Sequence, residues 1–222
     1  AAAGMHVLRA LLLLASSATF FYGFRHLPLA DAYTIFYMVP LAMTVLAALI
    51  LGERVPRRAA LAVALGLTGV GIVVGPQLGG GAVMAYAACV VGTLSYGVAG
   101  VITRRMSLRE TPLALIFYPC LVIVLTTLPF ALVDWVPPAA TDLALIAAVG
   151  LLWPLAHMGF AAALKRSPVA RLAPLEYTSI LWVVAADLLV FGIAPSASTL
   201  AGSAVIIAAC LLLVERGGRA AS

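Results

Sequence analysis

Eight side chains set inside long apolar runs carry groups able to bind or move a solute: Tyr37, Tyr96, Trp153, His157, Glu176, Tyr177, Trp182 and Asp187. Glu176 and Asp187 are 11 residues apart in one run, close to three helical turns, so with Ile180 and Val183 they fall on a single stripe. An acid at the centre of a membrane helix costs about 2.5 to 3.5 kcal/mol on insertion scales, and less near the ends. Two readings follow. Such carboxylates either reach the interface or a paired neighbour, or they serve as a cation or proton-titrating site on a watery path. His157 and Trp153 stand one turn apart, with Pro154 loosening the backbone between them. The tyrosines and Trp182 offer aromatic faces and hydroxyls, which suit an amine-bearing solute through cation-aromatic contact backed by a carboxylate. Tyr33, Tyr118 and Trp135 lie near run ends, where an interfacial belt is expected.

Other chemistries lack their residues. His6, His26 and His157 sit in separate segments without ligand spacing, so neither a metal nor another cofactor is expected. The turn from Gly75 to Gly81 has no Lys-Ser/Thr of a phosphate loop, which argues against nucleotide hydrolysis. No catalytic constellation is legible: paired carboxylates and Ser/His arrangements are missing, and an enzyme is not expected. Cys89, Cys120 and Cys210 lie in apolar runs and read as small buried residues.

What must position these groups follows from composition. With 64% hydrophobic and 9% charged residues, the chain is far from a soluble domain. The apolar runs are Val7 to Phe24, Ala32 to Leu51, Ala59 to Gly75, Ala82 to Ile102, Pro112 to Val133, Leu143 to Leu164, Leu172 to Phe191 and Ser198 to Val214. Each is about the length of a membrane span, and lipid admits only helices for an open chain. The fold class is therefore all-α: a polytopic membrane protein with eight transmembrane helices.

Alternating the loops puts Arg9, Arg54, Arg57, Arg58, Arg104, Arg105, Arg109, Lys165, Arg166, Arg171, Arg216 and Arg219 on one side and only Arg25 on the other. The positive-inside rule then places both ends of the chain in the cytoplasm and the protein in the cytoplasmic (inner) membrane. Asp31, Asp134 and Asp142 fall in the opposite loops. The net charge of +5 comes in small groups without a basic stripe, so a nucleic-acid partner is not expected. The expected partners are a small-molecule substrate and the lipid bilayer. Gly66, Gly69, Gly71 and Gly75 suit close helix packing, with a homodimer seam as the lesser alternative.

Shifting the chain by 140 residues aligns Pro28 with Pro168, Ala30 with Ala170, Tyr37 with Tyr177, Leu41 with Leu181 and Leu51-Gly52 with Phe191-Gly192. The charges change sides, since Arg54, Arg57 and Arg58 align with uncharged residues and Asp31 aligns with Arg171. Two halves in opposite orientation typify secondary transporters, which bind near the midplane between them. Under this repeat, Tyr37 and Tyr177 would face each other across a central cavity.

The stretch Leu27-Pro28-Leu29-Ala30-Asp31-Ala32, then Pro40-Leu41, Leu51-Gly52-Glu53 and Gly66-Leu67-Thr68-Gly69-Val70, resembles the first EamA repeat of the drug/metabolite transporter (DMT) superfamily. Ser167-Pro168-Val169-Ala170 and Ala173-Pro174-Leu175-Glu176-Tyr177-Thr178 resemble the second. The resemblance implies ten helices in two inverted five-helix repeats. Residues 1–76 would then hold three helices of the first repeat and residues 82–216 all five of the second, with two helices missing before residue 1. Ile193 departs from the glutamate common after Phe-Gly in the second repeat. The implied function is secondary transport of a small metabolite by alternating access. The superfamily's solutes include amino acids, amines, purines, sugars and S-adenosylmethionine, with export as one direction. The alternatives are a non-transporting scaffold or inactive truncated product and, behind them, a membrane-embedded enzyme.

Overall fold

A computed structural model of the chain describes residues 2–52, 57–77, 81–106, 109–133, 135–166 and 178–214. These form α1 (Ala2–His26), α2 (Leu29–Phe36), α3 (Val39–Leu51), α4 (Arg57–Val74), α5 (Val83–Met106), α6 (Pro112–Val133), α7 (Ala140–Arg166), α8 (Ser179–Leu189) and α9 (Ala197–Val214), with a 3-10 turn at Gly75–Gln77. Five stretches are long and apolar enough to cross a membrane, and shorter apolar helices at Ala140–Leu152, Ser179–Leu189 and Ala197–Leu212 accompany them. The protein is an all-α polytopic membrane protein.

The second span, Leu29–Ile50, is broken in its middle. Pro40 lacks the N–H that would bond Phe36, so α2 ends there and α3 restarts at Val39. Beside the break, Cys210 Sγ of another helix donates to Tyr37 O at 3.4 Å, while Thr93 Oγ1, which donates to Cys89 O at 2.9 Å in its own helix, lies 3.3 Å from Ile35 O. Backbone at membrane depth is tolerated where a protein group stands in for a helical bond, as Cys210 does at Tyr37 O.

The offset of 140 recurs in the helix boundaries. Arg57–Val74 of α4 maps onto Ala197–Val214 of α9 with no shift at either end, and α3 and α8 start in register at Val39 and Ser179. Gly52 and Gly192, the two left-handed glycines among the described residues, at φ 70° and 66°, are also 140 apart. Each sits just past a helix end, where an L side chain would be strained.

Helices α4 and α9 cross on their small residues. A Cβ on Gly69 would come within 3.0 Å of Gly202 O, and one on Gly202 within 2.7 Å of Gly69 O. Shifted by 140, this contact becomes Ala62 with Ala209, and both of those are fully buried in the same cluster. The crossing thus maps onto itself, as two related halves packed about an axis require. Elsewhere α1 packs on α5 and α6, while α2 is held by α5, α8 and α9. Of the three cysteines expected to be buried, Cys89 and Cys210 are, but Cys120 is exposed. It lies on α6, which buries little of its surface.

Candidate functional site

The polar interior gathers around α2, between the helices of both halves. Its first turn has backbone N–H groups with no helical partner, a consequence of starting a helix after Pro28. Asp187 of α8 supplies the acceptors: Leu29 N donates to its Oδ1 at 3.0 Å and Ala30 N to its Oδ2 at 2.7 Å. The carboxylate is 1% exposed. It is fixed from behind as well, because Ile193 N donates to the Asp187 carbonyl at 2.8 Å across the left-handed Gly192.

Asp31 lies one residue further along α2, also buried, and belongs to the helix rather than to the loop where the charge pattern put it. The Tyr86 hydroxyl of α5 donates to Oδ2 and the Thr199 hydroxyl of α9 to Oδ1, both in short hydrogen bonds. Among the described residues no Lys, Arg or His pairs with it. From Thr199 the network runs two ways. Its hydroxyl meets Ser196 Oγ at 2.7 Å, and Ser196 is exposed. Its carbonyl accepts from Ser203 Oγ at 2.6 Å, Ser203 meets Thr34 Oγ1 at 2.6 Å, and Thr34 donates to Ala30 O at 2.7 Å. Buried polar groups need such partners, and here they tie four helices into one end of the bundle.

The break at Tyr37 lies two turns deeper. Tyr37 is buried, and its hydroxyl bonds Ser179 Oγ at 2.7 Å, so a first-half residue touches the second half two positions from its repeat mate Tyr177. An aromatic row leads to this point. Phe24 stacks on Tyr33 with centroids 5.7 Å apart, Tyr33 contacts Tyr37 at 6.4 Å and Phe36 at 6.3 Å, and Phe36 meets Tyr96 at 5.3 Å. Tyr33, expected in the interfacial belt, belongs to this row. Tyr118 and Trp135 do lie exposed.

Of the eight residues that the sequence singles out, the structure brings Tyr37, Tyr96 and Asp187 to α2, α5 and α8 around the break and the capped turn. The expected stripe is real for Val183 and Asp187, which form the buried side of α8. Trp182 points away from it and is 76% exposed. Glu176 and Tyr177 lie outside the described residues, as do the side chains of Trp153 and His157 on α7.

A second polar cluster occupies the opposite end of α1. Pro119 inside α6 leaves Leu115 O without its helical donor, and buried Arg9 Nη1 donates to that carbonyl at 2.7 Å. His6, one turn away, packs at a tilt against the Tyr118 ring with centroids 4.5 Å apart and approaches Glu110 at 3.9 Å. Among the described residues, His6 Nδ1 and Arg9 Nε have no hydrogen-bond partner. Arg9 therefore does more than mark a basic loop.

The pattern of the EamA-like transporter family matches residues 3–75 and 83–215. The chain is 25% identical over 211 residues to an S-adenosylmethionine uptake transporter of Rickettsia prowazekii, covering 95% of this chain and 71% of that protein. It is 30% identical over 198 residues to a pseudopaline exporter of Pseudomonas aeruginosa, covering 87% and 69%. A solved crystal structure superposes with a TM-score of 0.61 over 98% of this chain and 77% of its own at 22% identity, a likeness of fold.

Proposed function

The chain belongs to the EamA-like transporter family, and from that premise we propose that it moves an amine-bearing, amino-acid-like metabolite across the cytoplasmic membrane by alternating access. The observation that carries this reading is the broken span. At Tyr37 a helix interrupted within the membrane meets the other half through a hydroxyl contact, which is the arrangement from which secondary transporters build a midplane site. Tyr37, Tyr96 and the aromatic row beside them supply ring contacts for a cationic group. Relatives named for S-adenosylmethionine uptake and for pseudopaline export support a small, charged metabolite and make S-adenosylmethionine the first solute to test.

In this reading the basic turns face the cytoplasm, so the Asp31 and Asp187 end faces outward and is closed. Asp187 holds α2 in that closed state. Glu176 is the proposed carboxylate of the inner part of the path, with Tyr177, Trp153 and His157 as further contacts; Trp182, on the exposed side of α8, is not among them. The Glu176→Gln variant is expected to take up solute more slowly while folding normally; an unchanged rate and pH dependence would remove Glu176 from the path. Ligand-dependent thermal stabilisation of the full-length protein across S-adenosylmethionine, amino acids and amines tests the substrate class, since a specific ligand raises apparent stability by mass action. Stabilisation by neutral sugars or purines alone would overturn it.

A further inference from the structure

We propose that Arg9 binds the carboxylate of the transported solute, at the inner end of the path between α1, α5 and α6. This rests on the transport reading above and narrows the solute to one that carries an acid as well as an amine.

Arg9 is 9% exposed and His6, one turn before it, 4%. A buried guanidinium keeps its charge, which is costly unless an anion or a full set of acceptors answers it. Here the protein answers it only in part. Nη1 donates to Leu115 O at 2.7 Å, the carbonyl that Pro119 leaves without a helical donor. Among the described residues, buried Nε has no acceptor and Nη2 makes no hydrogen bond. Nε and Nη2 form the side of the guanidinium whose N–H groups run parallel, the fork that grips both oxygens of one carboxylate. The bond to Leu115 leaves that fork intact. A single carbonyl needs one donor, which a neutral side chain could supply; a charged fork exceeds that need.

Among the described residues no acid of the protein takes the fork. Glu110 approaches His6 Nε2 at 3.9 Å and does not come within ion-pair distance of Arg9. Asp31 and Asp187 belong to the other end of α1, at the head of α2.

The surroundings tie the fork to the path. Tyr96 of α5 lies within electrostatic reach of the guanidinium. The same ring meets Phe36 at 5.3 Å, next to the break at Tyr37, and is 40% exposed. A solute lying on Tyr96 therefore has Arg9 on one side and the aromatic row on the other. A turn of the Arg9 side chain about its single bonds brings the fork onto the carboxylate while the amine stays on the rings. A lipid phosphate fits less well, because headgroups meet cations at the membrane surface and not one enclosed where α1 packs on α5 and α6.

The test compares matched probes on the purified full-length protein in nanodiscs of neutral phosphatidylcholine. S-adenosylmethionine is set against its decarboxylated form, and a panel of amino acids against their methyl esters, with binding read as thermal stabilisation. Wild type is expected to bind each acid about tenfold tighter than its partner, and Arg9→Gln to bind the two about equally. Arg9→Lys, which keeps the charge and loses the fork, should fall between. Equal binding within the pairs by wild type overturns the inference, even where Arg9→Gln fails to fold. A preference for the acid that survives in Arg9→Gln overturns it too. An Arg9-dependent rise in melting temperature on exchanging the neutral lipid for phosphatidylglycerol, without solute, would give the fork to a lipid phosphate and overturn it as well. Acid-selective binding without uptake into proteoliposomes would count against the transport reading and leave the carboxylate site standing. Failure of every probe to bind would overturn both.

Discussion

Tyr37 and Asp187 each join the halves through a single side chain, and their removal should have different consequences. The Tyr37→Phe variant keeps the ring and its packing but loses the bond to Ser179. We expect a stability loss of about 1 kcal/mol or less, together with reduced uptake, measured by thermal denaturation in detergent and by vesicle uptake. Asp187→Ala removes both acceptors from the head of α2 and should cost about 1 to 2 kcal/mol, at the upper end of helix-cap effects because the site is buried. A melting temperature unchanged from wild type would show that water satisfies these N–H groups instead. The value of Asp187 was visible in the sequence as one of two acids in an apolar run. Asp31 was hidden by its own context, because an acid three residues past a proline, between two spans, has the pattern of a loop. Only the packing of α5 and α9 over that turn makes it interior. Arg9 was misleading in the same way: its place in a basic group is legible, but the carbonyl it serves exists because of Pro119, more than a hundred residues away.

The α4–α9 crossing offers a sharp test at the level of helices, since Gly69 and Gly71 lie on different faces of α4 and have different surroundings. A methyl on Gly69 or Gly202 would strike the facing backbone carbonyl, whereas one on Gly71 meets nothing within 4 Å. Gly69→Ala is therefore expected to lower the melting temperature by several degrees and Gly71→Ala to leave it unchanged or raise it slightly, as removal of a helical glycine does. Equal effects from both would contradict the crossing. The sequence marked these glycines but could not say which touch a partner: Gly71 and Gly75, which make the GxxxG, meet nothing within 4 Å, whereas Gly69 meets α9. The break between α2 and α3 was missed for a similar reason. Pro40 is plain in the sequence, yet a proline inside a span can equally kink a continuous helix. Separation into two helices leaves Tyr37 O to be met from another helix, by Cys210, which a proline in the sequence does not announce.

The whole molecule is governed by the 140-residue relation, legible in the sequence at a handful of matched residues and in the structure at helix ends, two glycines and one crossing. The same relation maps α1 onto α7. Helix α1 is flanked by α5 and α6, whereas every side chain described on α7 is exposed. We propose that the counterparts of α5 and α6 are two further helices encoded before residue 1, about 60 to 80 residues. The protein purified from its native host should then have a mass larger than 22.9 kDa by that amount; an intact mass matching this chain would contradict it. Orientation is a separate prediction: a single cysteine at Ser196 in a cysteine-free background should react with an impermeant reagent only from outside the cell. The central claim, a gradient-driven carrier with its site between two inverted halves, is tested most directly by uptake of labelled S-adenosylmethionine into proteoliposomes holding the full-length protein under an imposed pH gradient. Saturable accumulation that collapses with the gradient and falls in Tyr37→Phe is the predicted result. Uptake no faster than into protein-free liposomes, for S-adenosylmethionine and for the amino acids and amines alike, would contradict it.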